Sequence, residues 1–483
     1  MTTEAMMSTR LSSWPVVIQG GMGVAVSSWP LAAAVARAGQ LGVVSGTALD
    51  TVLARRLQDG DRGVHLRRAL EQFLVPELAE RVLARYWRPQ GRPVGVPYRP
   101  IARLALRQSP RAQELAVLAN FVEVWLAKEG HDGLVGVNYL EKVQLATPAA
   151  AYGAMLAGVD YVLMGAGVPR DIPHLLDQLA QHRAVQLPVA VVGAPEGGHT
   201  VDIDPFALLG VQLAPLRRPQ FLAIVSAHVL ATYLARDERI RPDGFVVEGP
   251  VAGGHNAPPR GRLTLDELGQ PVFGPRDQAD LAVIAATGLP FWLAGSYGAP
   301  EQVGAALASG AAGVQVGTLF ALSEDSSLTP RLRGELRRQL EDGTLRVRTD
   351  PLASPTGFPF KVAQLDDTLS DPAVHSARPR LCDLGYLRTP YLREDGAVGY
   401  RCPAEPVATH LRKGGALQDT VDRMCLCNAL TANVGLGQTR RDGYAEQPLL
   451  TLGADLQGPR RFAAEHPDGW SAREAVTWLL TGV

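Results

Sequence analysis

The chain has 483 residues, of which 46% are hydrophobic and 20% charged, and its formal net charge is −1. These values are typical of a large globular protein, and the near-zero charge excludes a chain that binds nucleic acid over its whole surface. The first ten residues, MTTEAMMSTR, lack the basic start and apolar core of a signal peptide, so we expect a cytoplasmic protein. Glycine and proline interrupt the two long uncharged runs, residues 11–36 and 281–300, which favours buried elements over membrane spans.

The first 50 residues have the pattern of a βαβ unit. A short apolar strand is predicted at residues 16–19, and the turn GGMG follows it at once. A helix that ends near residue 38 and a second apolar strand at residues 41–45 complete the unit. The turn does not have the glycine spacing of the dinucleotide fingerprint, so the sequence does not predict a Rossmann domain.

Residues 51–133 interrupt this pattern with an insertion that is predicted to be helical. Between residues 51 and 111 there are 13 arginines, no lysine and 5 acidic residues. Such a basic face is often only solvated, with the arginine stems covering apolar surface. The alternative is a lid or docking surface for an anionic substrate or an acidic carrier protein.

The strand and helix alternation then resumes and continues to about residue 325. Residues 185–215 lack a long helix and are predicted to form a hairpin outside the main sheet. Eight strands with intervening helices predict an α/β fold, a TIM (β/α)8 barrel built from residues 11–50 and 134–325, with the insertion after strand 2. The barrel strands are predicted at residues 16–19, 41–45, 134–138, 159–164, 221–226, 244–248, 290–294 and 313–316.

The stretch GFVVEGPVAGGHNAPPRG, residues 244–261, contains the strongest candidate for a catalytic residue. Its apolar strand ends at Glu248 and is followed by the pair Gly253-Gly254 and then by His255. In a TIM barrel the loops after the strands carry the chemistry, and an imidazole near its ordinary pKa can accept a proton at physiological pH. We therefore predict that His255 is an active-site base, the alternative being a structural histidine in a tight turn.

The loops after strands 7 and 8 consist of small residues. They contain Gly295-Ser296 and Gly317-Thr318, whose backbone amides can approach an anion closely. Because TIM barrels often bind phosphate at these two loops, the sequence favours a phosphate-bearing cofactor over ordinary turns.

Three segments, IQGGMG, VEGPVAGGHNAPPRG and LAGSYGAPEQVGAALASGAAGVQVGT, resemble the FMN-dependent nitronate monooxygenases and their relatives, the FMN-type enoyl-ACP reductases. The resemblance covers roughly residues 16–320. It implies that FMN is the cofactor and that His255 is the active-site base or acid. The residues that it implies for FMN binding are Gly20, Gly21, Met22, Gly23, Thr47, Asn138, Glu248, Gly253, Gly254, Gly295, Ser296, Gln315, Gly317 and Thr318.

The resemblance implies an oxidoreductase and leaves its substrate open. The first interpretation is oxidation of nitroalkanes or nitronates with O₂, with His255 removing the α-proton. The second is reduction of an enoyl thioester by NAD(P)H, in trans to a fatty acid or polyketide synthase, which the NAPPRG continuation after His255 favours. The large insertion is a departure from the small nitronate monooxygenases. A flavin-binding subunit without turnover is a third possibility, and the oligomeric state, a homodimer included, stays open.

The loop-rich extension, residues 326–483, contains all four cysteines: Cys382, Cys402, Cys425 and Cys427. Their clustering suggests a zinc site or an iron–sulfur cluster. Their spacing lacks the CxxC pairs of common zinc sites, which favours buried thiols instead. Near the end of the extension, Ser471 and Glu474 form a capping box that predicts a final helix.

Overall fold

The computed structural model describes residues 14–483. Residues 1–13 lie outside the described residues. Two predictions fall there: the absence of a signal peptide and the start of the barrel at residue 11. The strands are β1 (Val17–Gln19), β2 (Gly42–Ser45), β3 (Val135–Leu140), β4 (Tyr161–Gly165), β5 (Val185–Pro188), β6 (Thr200–Ile203), β7 (Gln220–Val225), β8 (Gly244–Glu248), β9 (Phe291–Ala294), β10 (Gly313–Val316), β11 (Val347–Asp350), β12 (Phe360–Ala363), β13 (Thr389–Leu392) and β14 (Val398–Arg401).

Eight of these strands form one parallel sheet in the order β1-β10-β9-β8-β7-β4-β3-β2. The sheet closes between β1 and β2, because the Gln19 N–H donates to the Leu41 carbonyl at 2.9 Å and the Leu41 N–H donates to the Val17 carbonyl at 3.1 Å. Strands β5 and β6 pair antiparallel outside this sheet, where the sequence predicts a hairpin. The predicted TIM barrel is therefore confirmed.

Large apolar side chains fill the barrel interior. Ile18, Leu163, Leu222 and Trp292 are all fully buried in one cluster inside the sheet. The Trp292 indole N–H donates to the Pro15 carbonyl at 2.8 Å, so its one polar group is satisfied. The interior is thus a packed core, and space for a ligand is left only at the ends of the strands.

The helices form three groups in the chain. Those of the barrel and its hairpin are Trp29–Arg37, Thr147–Leu156, Ile172–Ala180, Pro205–Leu209, His228–Arg236, Leu281–Ala285, Pro300–Ala308 and Thr318–Ala321, with short 3₁₀ turns at Glu141–Ala146 and Pro275–Asp277. Those of the insertion are Leu49–Gln58, His65–Glu71, Pro76–Tyr86 and Pro110–Lys128. Those of the extension are Pro330–Glu341, Pro372–Ala377, Val407–Arg412, Leu426–Ala432, Gln457–Glu465 and Ala472–Leu479, with 3₁₀ turns at Leu417–Thr420 and Leu480–Gly482.

Ion pairs neutralise part of the predicted basic face of the insertion. Arg68 lies 2.6 Å from Glu129, and Arg56 lies 3.3 Å from Glu123. Several of the acidic partners are on the helix Pro110–Lys128, beyond the window in which the sequence shows an excess of arginine. The paired arginines are Arg56, Arg67, Arg68, Arg81 and Arg92. The free positive charge of this face is therefore smaller than the sequence suggests.

The C-terminal extension folds back onto the barrel. The Trp470 indole N–H donates to the Leu319 carbonyl at 2.9 Å, directly after β10. The predicted capping box is present, since the Glu474 N–H donates to the Ser471 hydroxyl at 3.3 Å and the Ser471 N–H donates to the Glu474 carboxylate at 2.7 Å. The helix that it starts buries Leu479 completely. In the part of the chain that the structure describes, no helix combines the length and apolarity needed to cross a membrane.

Candidate active site

A cavity of about 260 Å³ lies at the C-terminal ends of the barrel strands. Every barrel strand contributes to its wall, either with its last residues or with the loop that follows. In chain order these contributions include Gly20, Thr47, Asn138, Gly165, Ile224, Glu248, Gly295 and Gly317. This is the end of a TIM barrel at which ligands bind.

The residues predicted for FMN binding all line this cavity, and so does His255. They come from six separate segments of the sequence, from Gly20 to Thr318, and the closed sheet brings them to one place. Their assignment as FMN ligands stays a prediction.

The glycine turn after β1 passes very close to the neighbouring strand β3. A Cβ added at Gly21 would lie 2.3 Å from the Asn138 Cβ, which no side chain could tolerate without movement of the backbone. Glycine is required here for close packing. A Cβ at Gly317 would approach only the Met22 sulfur, at 3.7 Å, so the space beside Gly317 belongs to the cavity.

Two buried amide oxygens at the cavity wall have no hydrogen-bond partner among the described residues. They are the Oδ1 of Asn138 and the Oε1 of Gln315. A buried acceptor without a partner is costly, so a ligand that offers N–H or O–H donors would be stabilised here. The free acceptors fit a heterocycle that has its own donors.

His255 is held in place by the C-terminal extension. Its Nε2 lies 2.7 Å from the Ser354 hydroxyl, and its ring packs edge-on against Phe360 with centroids 4.9 Å apart. The backbone on both sides of His255 pairs with β12, since the Lys361 N–H donates to the Gly254 carbonyl and the Asn256 N–H donates to the Pro359 carbonyl, each at 2.9 Å. These contacts fix the imidazole against the cavity wall.

The structure corrects the expected ionisation of His255. Burial, with a smaller effect of the nearby Lys142 ammonium, lowers the pKa of this imidazole to about 4. At physiological pH the ring is neutral and is a much weaker base than an exposed histidine. A role as a hydrogen-bonding group therefore suits His255 better than proton abstraction from a neutral carbon acid.

Glu248, the last residue of β8, also lines the cavity. Burial raises the pKa of its carboxyl to about 7. Among residues 14–483 its side chain has neither an ion pair nor a hydrogen bond to offset that burial. Glu248 is thus the group at the cavity wall whose charge changes near neutral pH.

The sequence does not identify the part of the cavity wall that the extension provides. Phe360, Tyr386 and Leu387 lie there, together with Leu426, Cys427, Leu430 and the segment 451–453. The run SPTGFPFKV and the cysteine-containing segment near residue 425 both contribute to this wall, but no spacing rule connects them to the ends of the barrel strands. This wall is mostly apolar, in contrast to the glycine-rich barrel loops.

The segment 451–453 connects two barrel loops across the cavity. The Gly254 N–H donates to the Thr451 hydroxyl at 2.8 Å, and the Gly453 N–H donates to the Thr318 hydroxyl at 2.9 Å. The loop that carries His255 is thereby tied to the predicted phosphate loop after β10. The extension is a structural part of the site and not an appendage to it.

The predicted metal site at Cys382, Cys402, Cys425 and Cys427 is not supported. Three of the thiols, those of Cys402, Cys425 and Cys427, pack together, and all four cysteines are free. In the described chain no group of three or more histidine, cysteine or acidic side chains has a geometry that could hold a metal ion. Burial raises the pKa of Cys402 and of Cys427 to about 12, so without a metal these thiols stay protonated.

Comparison with known proteins agrees with the resemblance seen in the sequence. Residues 217–350, which include β8, His255 and the two predicted phosphate loops, match the family model described as nitronate monooxygenase. This segment confirms the resemblance to that family.

Two curated proteins are similar over part of the chain, and both are named (3aS,4S,5R,7aS)-5-hydroxy-7a-methyl-1-oxo-octahydro-1H-indene-4-carboxyl-CoA dehydrogenase. The one from Rhodococcus jostii is 32% identical over 125 residues, or 26% of this chain and 30% of that protein. The one from Mycobacterium tuberculosis is 30% identical over 168 residues, or 34% of this chain and 42% of that protein. The matched part thus spans less than half the length of these relatives.

Two solved structures are also similar. FabK from Thermotoga maritima has a TM-score of 0.48 and 16% identity, over 99% of this chain and 95% of that chain. A nitroalkane oxidase from Streptomyces ansochromogenes has a TM-score of 0.42 and 17% identity, over 98% of this chain and 97% of that chain.

Proposed function

We propose that this chain is an FMN-dependent oxidoreductase that reduces the carbon–carbon double bond of an enoyl thioester with NAD(P)H. The observation that carries the choice of substrate is the neutral, firmly held imidazole of His255 at the cavity wall. A group with a pKa of about 4 is poorly suited to remove a proton from a nitroalkane at neutral pH. It is well suited to donate or accept a hydrogen bond without a change of charge.

The cavity supports FMN as the cofactor. The unpartnered acceptors of Asn138 and Gln315 match the N–H and O–H donors that a flavin ring and its ribityl chain offer. Gly295, Ser296, Gly317 and Thr318 would hold the phosphate at the ends of β9 and β10. When bound, FMN supplies hydride transfer between NAD(P)H and the substrate.

The names of the curated relatives favour a thioester substrate. Both are dehydrogenases of a carboxyl-CoA compound, which is a thioester. The wall that the extension provides also suits an acyl chain, because Phe360, Leu387 and Leu430 present apolar side chains to the cavity. A small polar nitronate would leave most of this apolar surface without contact.

His255 would act on the thioester carbonyl. Its Nε2 is engaged with Ser354 at 2.7 Å, while its Nδ1 has no partner among the described residues. A hydrogen bond from the imidazole to the carbonyl oxygen would stabilise the negative charge that develops there when hydride reaches the β-carbon. The proton that completes the reduction goes to the α-carbon and comes from water, because a neutral imidazole has no acidic proton to give.

Nitronate oxidation is the second candidate, because the matched family model is described as nitronate monooxygenase. A preformed nitronate has already lost its α-proton, so a weak base at position 255 is no obstacle to its oxidation. Neutral nitroalkanes are the poorer substrates on this view.

The test is a parallel steady-state assay of the purified protein loaded with FMN. One arm supplies NADH or NADPH with crotonyl-CoA, and the other supplies O₂ with propyl-2-nitronate. Reduction of crotonyl-CoA with little nitronate turnover is the expected result. Nitronate turnover alone contradicts the thioester proposal, and a protein that binds FMN but turns over neither substrate is better described as a flavin-binding subunit.

A further inference from the structure

A second cavity, of about 320 Å³, lies where the insertion meets the C-terminal extension. Four arginines line it, and Asp383 is the acidic residue of its wall. The arginines are Arg55, Arg99, Arg103 and Arg440. We refer to this cavity as the arginine pocket.

Arg55 is the most unusual member of the arginine pocket. Its side chain is buried, with the residue 4% exposed, and burial lowers its pKa. The guanidinium packs over the Tyr98 ring at 5.0 Å and donates to the Leu436 carbonyl. It makes no ion pair with any residue of the described chain. Asp383 is near enough to act on it electrostatically but forms no ion pair with it, so an anion in the pocket would offset part of the cost of burying the guanidinium.

Asp383 does not neutralise the pocket. Its carboxylate accepts hydrogen bonds from Arg440 and, at 3.1 Å, from the Asn428 side chain. Arg103 donates only to carbonyl oxygens, that of Cys382 at 2.6 Å and that of Asp383 at 3.4 Å. Arg99 donates to the Arg85 carbonyl at 2.9 Å. The pocket therefore keeps an excess of positive charge even though other arginines of the insertion are paired.

The arginine pocket is separated from the active-site cavity by a thin wall. The Thr51 hydroxyl, which lines the pocket, lies 2.7 Å from the hydroxyl of Tyr386, which lines the cavity. The chain itself passes from one to the other, since Leu384 lines the pocket and Leu387 lines the cavity. Three residues span at most about 10 Å.

We propose that the arginine pocket binds the phosphate of a phosphopantetheine arm whose thioester lies in the active-site cavity. This inference rests on the proposed thioester substrate and adds the group that anchors it. An extended pantetheine arm is longer than the roughly 10 Å that the three residues between the two cavities can span. Planar guanidinium groups bind phosphate in bidentate fashion, which suits a cluster of arginines better than one of lysines.

The experiment measures binding by calorimetry and needs no turnover. The probes are 4′-phosphopantetheine and pantetheine, which differ only in the phosphate, together with inorganic phosphate. We expect 4′-phosphopantetheine to bind at least tenfold more tightly than pantetheine. Arg103→Gln combined with Arg99→Gln should abolish most of that difference. Both arginines are exposed, so these replacements spare the buried Arg55 on which local folding depends.

The matched control is Arg107→Gln. Arg107 is an exposed arginine four positions after Arg103 that does not line the pocket and makes no hydrogen bond with the described residues. This variant should bind both probes as the unmodified protein does, and melting curves should show that all variants are folded.

Equal affinity for the two pantetheine probes overturns the proposal. A preference for 4′-phosphopantetheine that persists in the Arg99→Gln, Arg103→Gln variant overturns it as well. Inorganic phosphate that binds as tightly as 4′-phosphopantetheine, with the same dependence on Arg99 and Arg103, also overturns it in favour of a free-phosphate site. If the phosphate preference is found but crotonyl-CoA is not reduced, the proposed reaction fails while the anchoring site stands.

Discussion

The imidazole Nε2 of His255 lies 2.7 Å from the hydroxyl of Ser354, a residue that follows it by 99 positions. The barrel supplies the histidine and the C-terminal extension supplies the group that orients it. Ser354 is itself held, because its hydroxyl lies 2.8 Å from that of Thr356. The active site is therefore complete only when the extension is folded over the barrel.

Replacing His255 or Ser354 should lower the rate of catalysis without preventing FMN binding. His255→Ala should keep FMN and lower kcat by roughly 10²–10³-fold, the range typical of a lost hydrogen-bond donor to a developing oxyanion. Ser354→Ala should lower kcat less, because the imidazole stays but loses its orientation. Both effects are measured with crotonyl-CoA and NAD(P)H after FMN content has been checked by absorbance.

Ser376→Ala, at an exposed position of the helix Pro372–Ala377, is the control for serine removal and should be neutral. Neutral nitroalkanes and preformed nitronates provide a further comparison. If His255→Ala reduced turnover of a nitroalkane steeply but that of its nitronate only slightly, the histidine would be a proton-abstracting base after all.

The titration of Glu248 should make the stability of the FMN-free protein depend on pH. Its carboxyl has an ordinary pKa of 4.5 and a pKa of about 7 in the folded protein, so the folded state binds this proton more tightly than the unfolded chain does. Its contribution to the free energy of unfolding is fully present below pH 4.5 and is lost as the pH rises to about 7. Protein free of FMN should therefore gain stability above neutral pH when Glu248 is replaced by Gln, measured by urea unfolding.

His255 has the opposite effect on stability. Its pKa falls from 6.5 to about 4 on folding, so its contribution is present above pH 6.5 and is lost as the pH falls towards 4. His255→Ala should therefore lose less stability than the unmodified protein as the pH falls from 6.5 to about 4. Above pH 6.5 the stability of the two proteins should depend on pH in the same way. A kcat/KM profile of the enzyme with an inflection near 6.5 that His255→Ala removes would contradict the lowered pKa.

The cysteines should behave as buried thiols and not as metal ligands. Elemental analysis of the purified protein should find no zinc or iron in stoichiometric amount, because the described residues form no metal-binding group. Alkylation of Cys402 and Cys425 should be slow until the protein unfolds, since both are buried and their pKa values are raised. About one metal ion per chain that disappears in Cys425→Ser would restore the metal hypothesis.

The barrel could be predicted from the sequence because its strands are short apolar runs and all but the one at residues 221–226 lie next to a glycine. The predicted strand at residues 244–248 has the same bounds as β8, and the loops after it and after β10 contain residues of the cavity wall, as expected. Such information is local, since a buried parallel strand and its turn are encoded within about ten residues.

The contribution of the extension could not be predicted in this way. Thr451 and Tyr386 reach the cavity through pairings between distant segments, and neither lies in a periodic apolar pattern. The low pKa of His255 has the same origin, because Phe360 and Ser354 bury a ring that the sequence places on an open glycine loop. Tertiary burial, and not residue type, determines its protonation.

The last prediction concerns Gly317, which tests the cofactor site without disturbing the fold. Its backbone is in a region that alanine also adopts, with φ −110, and an added Cβ would meet only the Met22 sulfur at 3.7 Å. Gly317→Ala should therefore fold normally. The new methyl group would occupy space beside the predicted phosphate loop, and crowding of this kind costs about 1–3 kcal/mol, or roughly 5- to 150-fold in FMN affinity.

Two further variants are the controls for this measurement. Gly334→Ala adds a methyl group in an exposed helix, where an added Cβ would meet nothing within 4 Å, so FMN affinity should not change. Gly21→Ala should instead destabilise the protein itself, because its Cβ would lie 2.3 Å from that of Asn138. Fluorescence titration with FMN and thermal unfolding measure the two effects separately. If Gly317→Ala binds FMN as tightly as the unmodified chain, the phosphate does not lie against the loop after β10, and the proposed position of the cofactor is wrong.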